Sequence, residues 1–284
     1  MPHFGSFQWE SILYGHEFTH LNVTEIKILK EADMTRKIAI ITGGSRGLGA
    51  NAALKLAARD TDLIITYKQN KTAADEVVSS SIKLGARATA LYFDAGSVAG
   101  IPAFVAQVQE TLAQWDAERF DILVNNAGMG IHAAFADVTE AQFDALMNVH
   151  LKSVFFLTQA LVPLMADGGR ILNVSSGLAR FALPGYAVYA SMKGAIEVLT
   201  RYLAKELGYR GISVNVLAPG AIETDFGGGN VRDNKQLNSF VASQTALGRV
   251  GLPDDIGDLI AVLVSDDCRW VNAQRIEASG GMFL

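Results

Sequence analysis

A tyrosine and a lysine stand four residues apart in Tyr189-Ala-Ser-Met-Lys193, near the start of a long stretch of helical period. That spacing puts the phenol and the ammonium on one helix face, aimed into one cleft. A free tyrosine ionises near pH 10. A neighbouring ammonium stabilises the phenolate and lowers that value, which suits the side chain to giving or taking a proton near neutral pH. Tyr and Lys also fall four apart by chance, so the pair alone leaves the chemistry open. Ser175-Ser176 ends the preceding apolar run, at the carboxyl edge where open α/β sheets bind ligands. The Ser176 hydroxyl there is placed to hydrogen-bond a carbonyl oxygen, or simply to enter a turn. Asn148 follows the glycine turn Asn125-Asn-Ala-Gly128 and lies in a helical segment. It is either a further polar group of the cleft or a structural hydrogen bond within a helix.

A second constellation suits phosphate binding. Ile41-Thr-Gly-Gly-Ser-Arg-Gly-Leu-Gly49 follows the first apolar run and opens the first helix. Gly43, Gly47 and Gly49 permit a tight turn and close approach to a pyrophosphate, which the helix N-terminus then attracts. The spacing, Gly-x-x-x-Gly-x-Gly, is one residue longer than the usual dinucleotide fingerprint. A site for NAD normally carries an acid about 20 residues further on, bonded to the adenosine ribose. Here the second run ends Thr66-Tyr67-Lys68, with no acid. A carboxylate would repel a 2′-phosphate, whereas Lys68 and Arg46 attract one, so NADP(H) is expected over NAD(H).

These groups need a scaffold. Apolar runs rich in Ile and Val fall at 37–42, 62–67, 87–93, 120–125, 170–175, 212–218 and 274–277. Their continuous apolar character suits strands buried on both faces. Segments of helical period lie between them at 48–59, 72–85, 101–116, 140–165, 186–208 and 253–264. The alternation predicts an α/β fold: one Rossmann-type, doubly wound parallel sheet of about seven strands with helices on both faces.

Composition narrows the classes. Of 284 residues, 50% are hydrophobic and 19% charged, enough apolar surface for a packed core. The net charge of −5 argues against a nucleic-acid binder. One cysteine, Cys268, excludes an intrachain disulfide and suits a reducing compartment. The longest uncharged stretch near the middle, Ser153 to Ala166, is short of the ~20 apolar residues of a membrane span, and Met1 to Glu10 has no signal-peptide character. A cytoplasmic protein without membrane or nucleic-acid partners is expected. Residues 1–33 show no sustained period and read as an N-terminal extension, with the domain at 34–284. That extension spells His16-Glu-Phe-Thr-His20, a zinc-hydrolase signature. It lacks an independent core and a third ligand, so no metal is expected.

Taken in order, the motifs resemble those of the short-chain dehydrogenase/reductase family, and are similar to its 3-oxoacyl-carrier-protein reductase branch. Thr42-Gly-Gly-Ser-Arg-Gly-Leu-Gly49 resembles the family's cofactor loop, through Gly43, Ser45, Arg46, Gly47, Leu48 and Gly49. Asp94 corresponds to the acid that contacts adenine. Asn125, Ala127 and Gly128 belong to the Asn-Asn-Ala-Gly turn. Pro219, Gly220, Ile222 and Thr224 match the Pro-Gly segment beside the nicotinamide. The resemblance implies NADPH-dependent reduction of a ketone or aldehyde. Tyr189 would be the acid. Lys193 would hold the ribose and lower the tyrosine pKa, Ser176 would orient the substrate oxygen, and Asn148 would hold a water in the proton path. It also implies a homotetramer.

The stretch 177–188 should line the substrate pocket; it is mainly apolar, with Arg180 its one charge. The segment 225–249, containing Gly227-Gly-Gly229, reads as a hinged lid. Aliphatic or aromatic ketones and 3-oxoacyl thioesters fit such a pocket, and Arg180 leaves an acidic substrate open. Two other classes remain: an NAD-dependent alcohol dehydrogenase, against which the missing acid counts, and a non-enzymatic dinucleotide sensor, which needs no proton donor.

Overall fold

The computed structural model describes residues 36–284. The His16–His20 motif and the extension lie outside them. Seven strands run parallel in the order β3-β2-β1-β4-β5-β6-β7: β1 Lys37–Ile41, β2 Thr61–Tyr67, β3 Ala88–Tyr92, β4 Phe120–Asn125, β5 Met165–Val174, β6 Ser213–Pro219 and β7 Arg275–Ala278. Helices α1 Gly47–Ala57, α2 Lys71–Lys83 and α9 Pro253–Leu263 pack on one face of the sheet. On the other face lie α3 Ile101–Gln114, α5 Ser153–Leu161 and α6 Ala187–Leu207. Alternate strand residues feed opposite layers, as a period of two demands. Ala39 and Ile41 of β1 enter the first cluster, Ile38 and Ile40 the second. Cys268 packs against the first cluster.

The chain winds outward from β1 to β3, then crosses back to lay β4 on the other side of β1. Strand order reverses there, and the crevice beyond the carboxyl ends of β1 and β4 is where such sheets hold ligands. The two constellations of the sequence meet at this edge.

Three segments differ from the periodicity. Strand β5 starts five residues earlier than the apolar run, because Met165 pairs with Phe120 before a register shift admits Asp167-Gly-Gly169. The helical stretch from Glu140 is not continuous: α4 Glu140–Met147 passes through a π turn, Asn148–Lys152, into α5. Counted as one run, Glu140–Leu164 is 25 residues and holds an 18-residue window of mean hydropathy 1.3, long and apolar enough to cross a membrane, which the uncharged stretch alone is not. Leu157 and Leu161 of that run are buried in the second cluster, while Phe155 and Phe156 are exposed. The lid carries two short helices the pattern does not predict, α7 Asn230–Asp233 and α8 Lys235–Ser243.

Candidate active site

The glycine-rich loop is held by its neighbours. The Thr42 hydroxyl accepts the amides of Asn126 (2.9 Å) and Ala127 (3.0 Å). Asn126 Nδ2 in return donates to the carbonyls of Thr42 (2.9 Å) and Gly43 (3.1 Å). Thr66 Oγ1 accepts the Gly43 amide at 2.9 Å. These bonds join the carboxyl ends of β1, β2 and β4, and Asn126 and Thr66 are residues that motif reading passes over. Gly43 has φ +65°, and a Cβ on it would stand 2.9 Å from Ala127 Cα. A Cβ on Gly49 would collide with the Gly43 carbonyl oxygen and come within 2.5 Å of Asn126 Nδ2. Helix α1 therefore starts directly on the loop.

That helix start fits a pyrophosphate. Arg46 stands at its N-cap in extended conformation and makes no side-chain cap, and the first turn holds no acid. The leading amides and the positive dipole end are left for an anion. Ser45 and Leu48 flank the exposed Arg46. Thr224, from the Pro-Gly segment, approaches the same loop: a Cβ on Gly47 would lie 3.6 Å from Thr224 Cβ. Gly220 packs where a Cβ would meet Ser279 Cα at 2.8 Å, and Ile222 bridges to Gly251.

Lys68 and Asp94 form an ion pair at 2.8 Å. Burial pushes the Asp94 carboxyl up, but the Lys68 ammonium and the Gly96 amide outweigh it and hold the group below its usual value. The two groups thus face the same spot, with the lysine neutralising the acid. The Asn125 side chain turns away into the sheet, donating to Asn173 Oδ1 (2.8 Å) and Thr158 Oγ1 (3.1 Å). Through its amide nitrogen it ties β4, β5 and α5 together.

Ser176, Tyr189 and Lys193 converge at the end of β5. Tyr189 and Lys193 are buried on the first turns of α6. Lys193 Nζ donates to the Val174 carbonyl at 2.7 Å and lies 5.6 Å from the Tyr189 ring centre. Burial pushes the Tyr189 phenol well above its ordinary value, and hydrogen bonding to Ser176 offsets only part of this. Burial also pushes Lys193 down, to about 7. The expected lowering of the tyrosine pKa by the lysine is outweighed here by burial of the phenol.

The π turn presents a different residue from the one the motif selects. Asn148 is its first member, and its carbonyl accepts the Ser153 amide. No hydrogen bond joins its side chain to Ser176, Tyr189 or Lys193 among the described residues. His150, two residues on, is buried and meets the Tyr189 ring edge-on, centroids 5.1 Å apart. Its Nε2 lies 2.7 Å from the Met129 carbonyl oxygen and 3.3 Å from the Met129 amide nitrogen, just past Gly128, so the backbone there holds the ring whichever nitrogen carries the proton. Nδ1 is buried and has no partner among the described residues. Burial, with the nearby Lys193 charge, pushes the imidazole down to about 3 despite that bond. It stays neutral at any ordinary pH.

Arg180 is not an open charge. It grips Glu277 with two bonds, 2.7 and 2.6 Å, and donates to the carbonyls of Met282 (2.7 Å) and Phe283 (3.2 Å). Glu277 also accepts Arg275 at 2.8 Å, which reaches Glu197 on α6 at 2.8 Å. The loop after Ser176, β7, the segment Met282–Phe283 and α6 are joined by this charged network, so Arg180 is not an unpaired charge. The Arg180 guanidinium holds Glu277 at about 2. Glu277→Gln should remove ~1–2 kcal/mol of charge-assisted bonding and lower Tm by about 2–8 °C. A depressed carboxylate stabilises above its unfolded pKa, about 4.3, and that stability is lost as pH falls through the folded value, about 2. The Tm gap to wild type should therefore hold from pH 5 to 8 and shrink toward pH 3. A gap that does not shrink in acid would mean the ion pair is not its source.

Comparison with known proteins agrees with this architecture. The family model described as enoyl-(acyl carrier protein) reductase matches residues 43–283. The chain belongs to the short-chain dehydrogenase/reductase family and is an oxidoreductase. Among curated relatives, a hydroxynaphthalene reductase-like protein of Metarhizium brunneum is 36% identical over 256 residues, covering 86% of this chain and 94% of its own. Among solved structures, the promiscuous reductase LugOII, which catalyses keto-reduction at C1 in lugdunomycin biosynthesis, superposes with TM-score 0.83 at 37% identity, covering 87% of this chain and 98% of that one. The landomycin C-6 ketoreductase LanV, solved with NADP and rabelomycin, gives TM-score 0.80 at 37% identity, covering 87% and 96%.

Proposed function

We propose that this chain is an NADP-dependent carbonyl reductase that converts a ketone or aldehyde to an alcohol. Support comes from ketoreductase relatives, one of them holding NADP. The observation that carries the reading is the meeting of Ser176 with the buried Tyr189–Lys193 pair beside an uncapped helix N-terminus. The amides at the head of α1 would hold the pyrophosphate. Arg46 and Lys68 would take the 2′-phosphate, Asp94 the adenine, and the segment from Pro219 to Thr224 the nicotinamide. When bound, the nicotinamide supplies hydride.

The protein's own groups do the rest. Ser176 orients the carbonyl oxygen. Tyr189 Oη gives that oxygen a proton; its raised pKa keeps the phenol protonated until then. Lys193 holds the nicotinamide ribose and passes protons toward the phenol. The motif gives the remaining place in the relay to Asn148, and the buried His150 beside the Tyr189 ring is a second candidate. The test is loss of 340 nm absorbance with NADPH, and separately NADH, against ketones, aldehydes and a 3-oxoacyl thioester. Turnover with NADPH is expected. NADPH binding without turnover, in either direction, would favour the dinucleotide-sensor class.

The assembly reading is a homotetramer in the cytoplasm. Phe155 and Phe156 on α5, and Val198 and Tyr202 on α6, are exposed, and large apolar side chains grouped on helices suit burial against another copy. Light scattering should give four times the chain mass; a monomer would remove the reading. Residues 1–33 are proposed to be an appendage to the catalytic domain.

A further inference from the structure

We propose that Phe226 is the aryl-recognition residue of this site, so that the preferred substrate is a ketone borne on a flat, fused aromatic system. The inference rests on the carbonyl-reductase reading and deepens it. The Phe226 ring lies 5.8 Å from the Tyr189 ring centre, inclined at 54°. Its amide donates to Thr224 Oγ1 at 3.2 Å, which fixes its start to the Pro-Gly segment. Its edge rests on backbone: a Cβ on Gly130 would stand 3.0 Å from Cε1 and 3.2 Å from Cζ. Yet the residue as a whole is 44% exposed, so it is not sealed into the core that holds Tyr189.

The surroundings sharpen the chemistry. Met129, Ile131, Met147, Leu178 and Val188 pack against the cluster of Leu146, Tyr189 and Met192 and make this region apolar. The one charge on the substrate loop, Arg180, is held by Glu277. Such a region rejects an ionised substrate and binds any apolar one of the right size. An aromatic ring adds a preference for another ring, because offset or tilted ring pairs gain beyond area burial. Immediately after Phe226, Gly227, Gly228 and Gly229 all have positive φ, 63°, 79° and 77°. That turn, closed by the Gly228 amide on the Asp225 carbonyl and by the Asn230 side chain on the Gly227 carbonyl, leads the chain away from the ring.

The test compares Phe226→Leu, which keeps apolar bulk but loses the ring, with Phe226→Tyr, which keeps the ring. The probes are 2-tetralone and ethyl 3-oxobutanoate with NADPH. Phe226→Leu should raise KM for 2-tetralone roughly 2- to 12-fold, the range of an aromatic pair converted at 1.36 kcal/mol per tenfold. KM for the ester should move less than twofold, and Phe226→Tyr should keep most of the preference for 2-tetralone over the ester that Phe226→Leu loses. Equal rises for the two substrates, or none, would overturn the inference. Should wild type reduce neither probe, the reductase reading is at fault, and 1-naphthol binding by calorimetry decides the ring's role. Weaker binding in Phe226→Leu than in Phe226→Tyr supports it, and equal binding in the two overturns it.

Discussion

Tyr189→Phe should cut turnover with NADPH by about 10²- to 10⁴-fold, the usual worth of a positioned general acid, while NADPH affinity changes less than twofold. The substitution removes one oxygen from a buried ring that His150 and Phe226 flank, so the packing survives. Nothing else in the cleft replaces that oxygen. Ser176 has a hydroxyl, but an alcohol is a far weaker acid than a phenol, and the His150 imidazole is pushed down to about 3. A matching signature lies in the pH profile. With Lys193 near 7, kcat/KM for NADPH, which reports ionisations of the free enzyme, should fall as pH rises through about 7. Lys193→Met should abolish that limb. Full turnover in Tyr189→Phe would take the acid role away from this residue.

The second large effect concerns cofactor choice. Arg46→Ala with Lys68→Ala should raise KM for NADPH about 10- to 100-fold, given ~1.5–3 kcal/mol per charge-assisted bond reduced by exposure. KM for NADH should move less than threefold. The Lys68–Asp94 pair adds an asymmetry. Losing Lys68 alone removes a cation and also unmasks a carboxylate that repels a 2′-phosphate. Lys68→Ala should therefore cost more than Arg46→Ala, and adding Asp94→Asn should recover part of the loss. Measured by steady-state kinetics, equal losses for both cofactors would mean that neither cation reads the phosphate.

The sheet is legible in the sequence because parallel strands are buried on both faces and declare themselves as unbroken apolar runs. Strand β4, Phe120–Asn125, is recoverable to the residue. The first half of β5 is not: Asp167-Gly-Gly169 has poor strand propensity and is extended by its neighbours. The π turn at Asn148 is also silent, since a change of hydrogen-bond register leaves the apolar spacing nearly intact. The same division holds in the site. Tyr189 and Lys193 are legible as a pair because their partnership is local. The commitments of Arg180 and His150 are not, because Glu277 is 97 residues away and the Met129 groups that fix the imidazole are backbone atoms. Residue type and spacing carry short-range chemistry; pairings made by the fold have no local mark.

The grip of Arg180 on the carbonyls of Met282 and Phe283 has a practical side. Phe283 also stacks on Phe181, in the same loop, at 5.1 Å. Changing Phe283, or fusing a bulky handle close to it, would therefore press on the loop that follows Ser176, a hundred residues earlier in the chain.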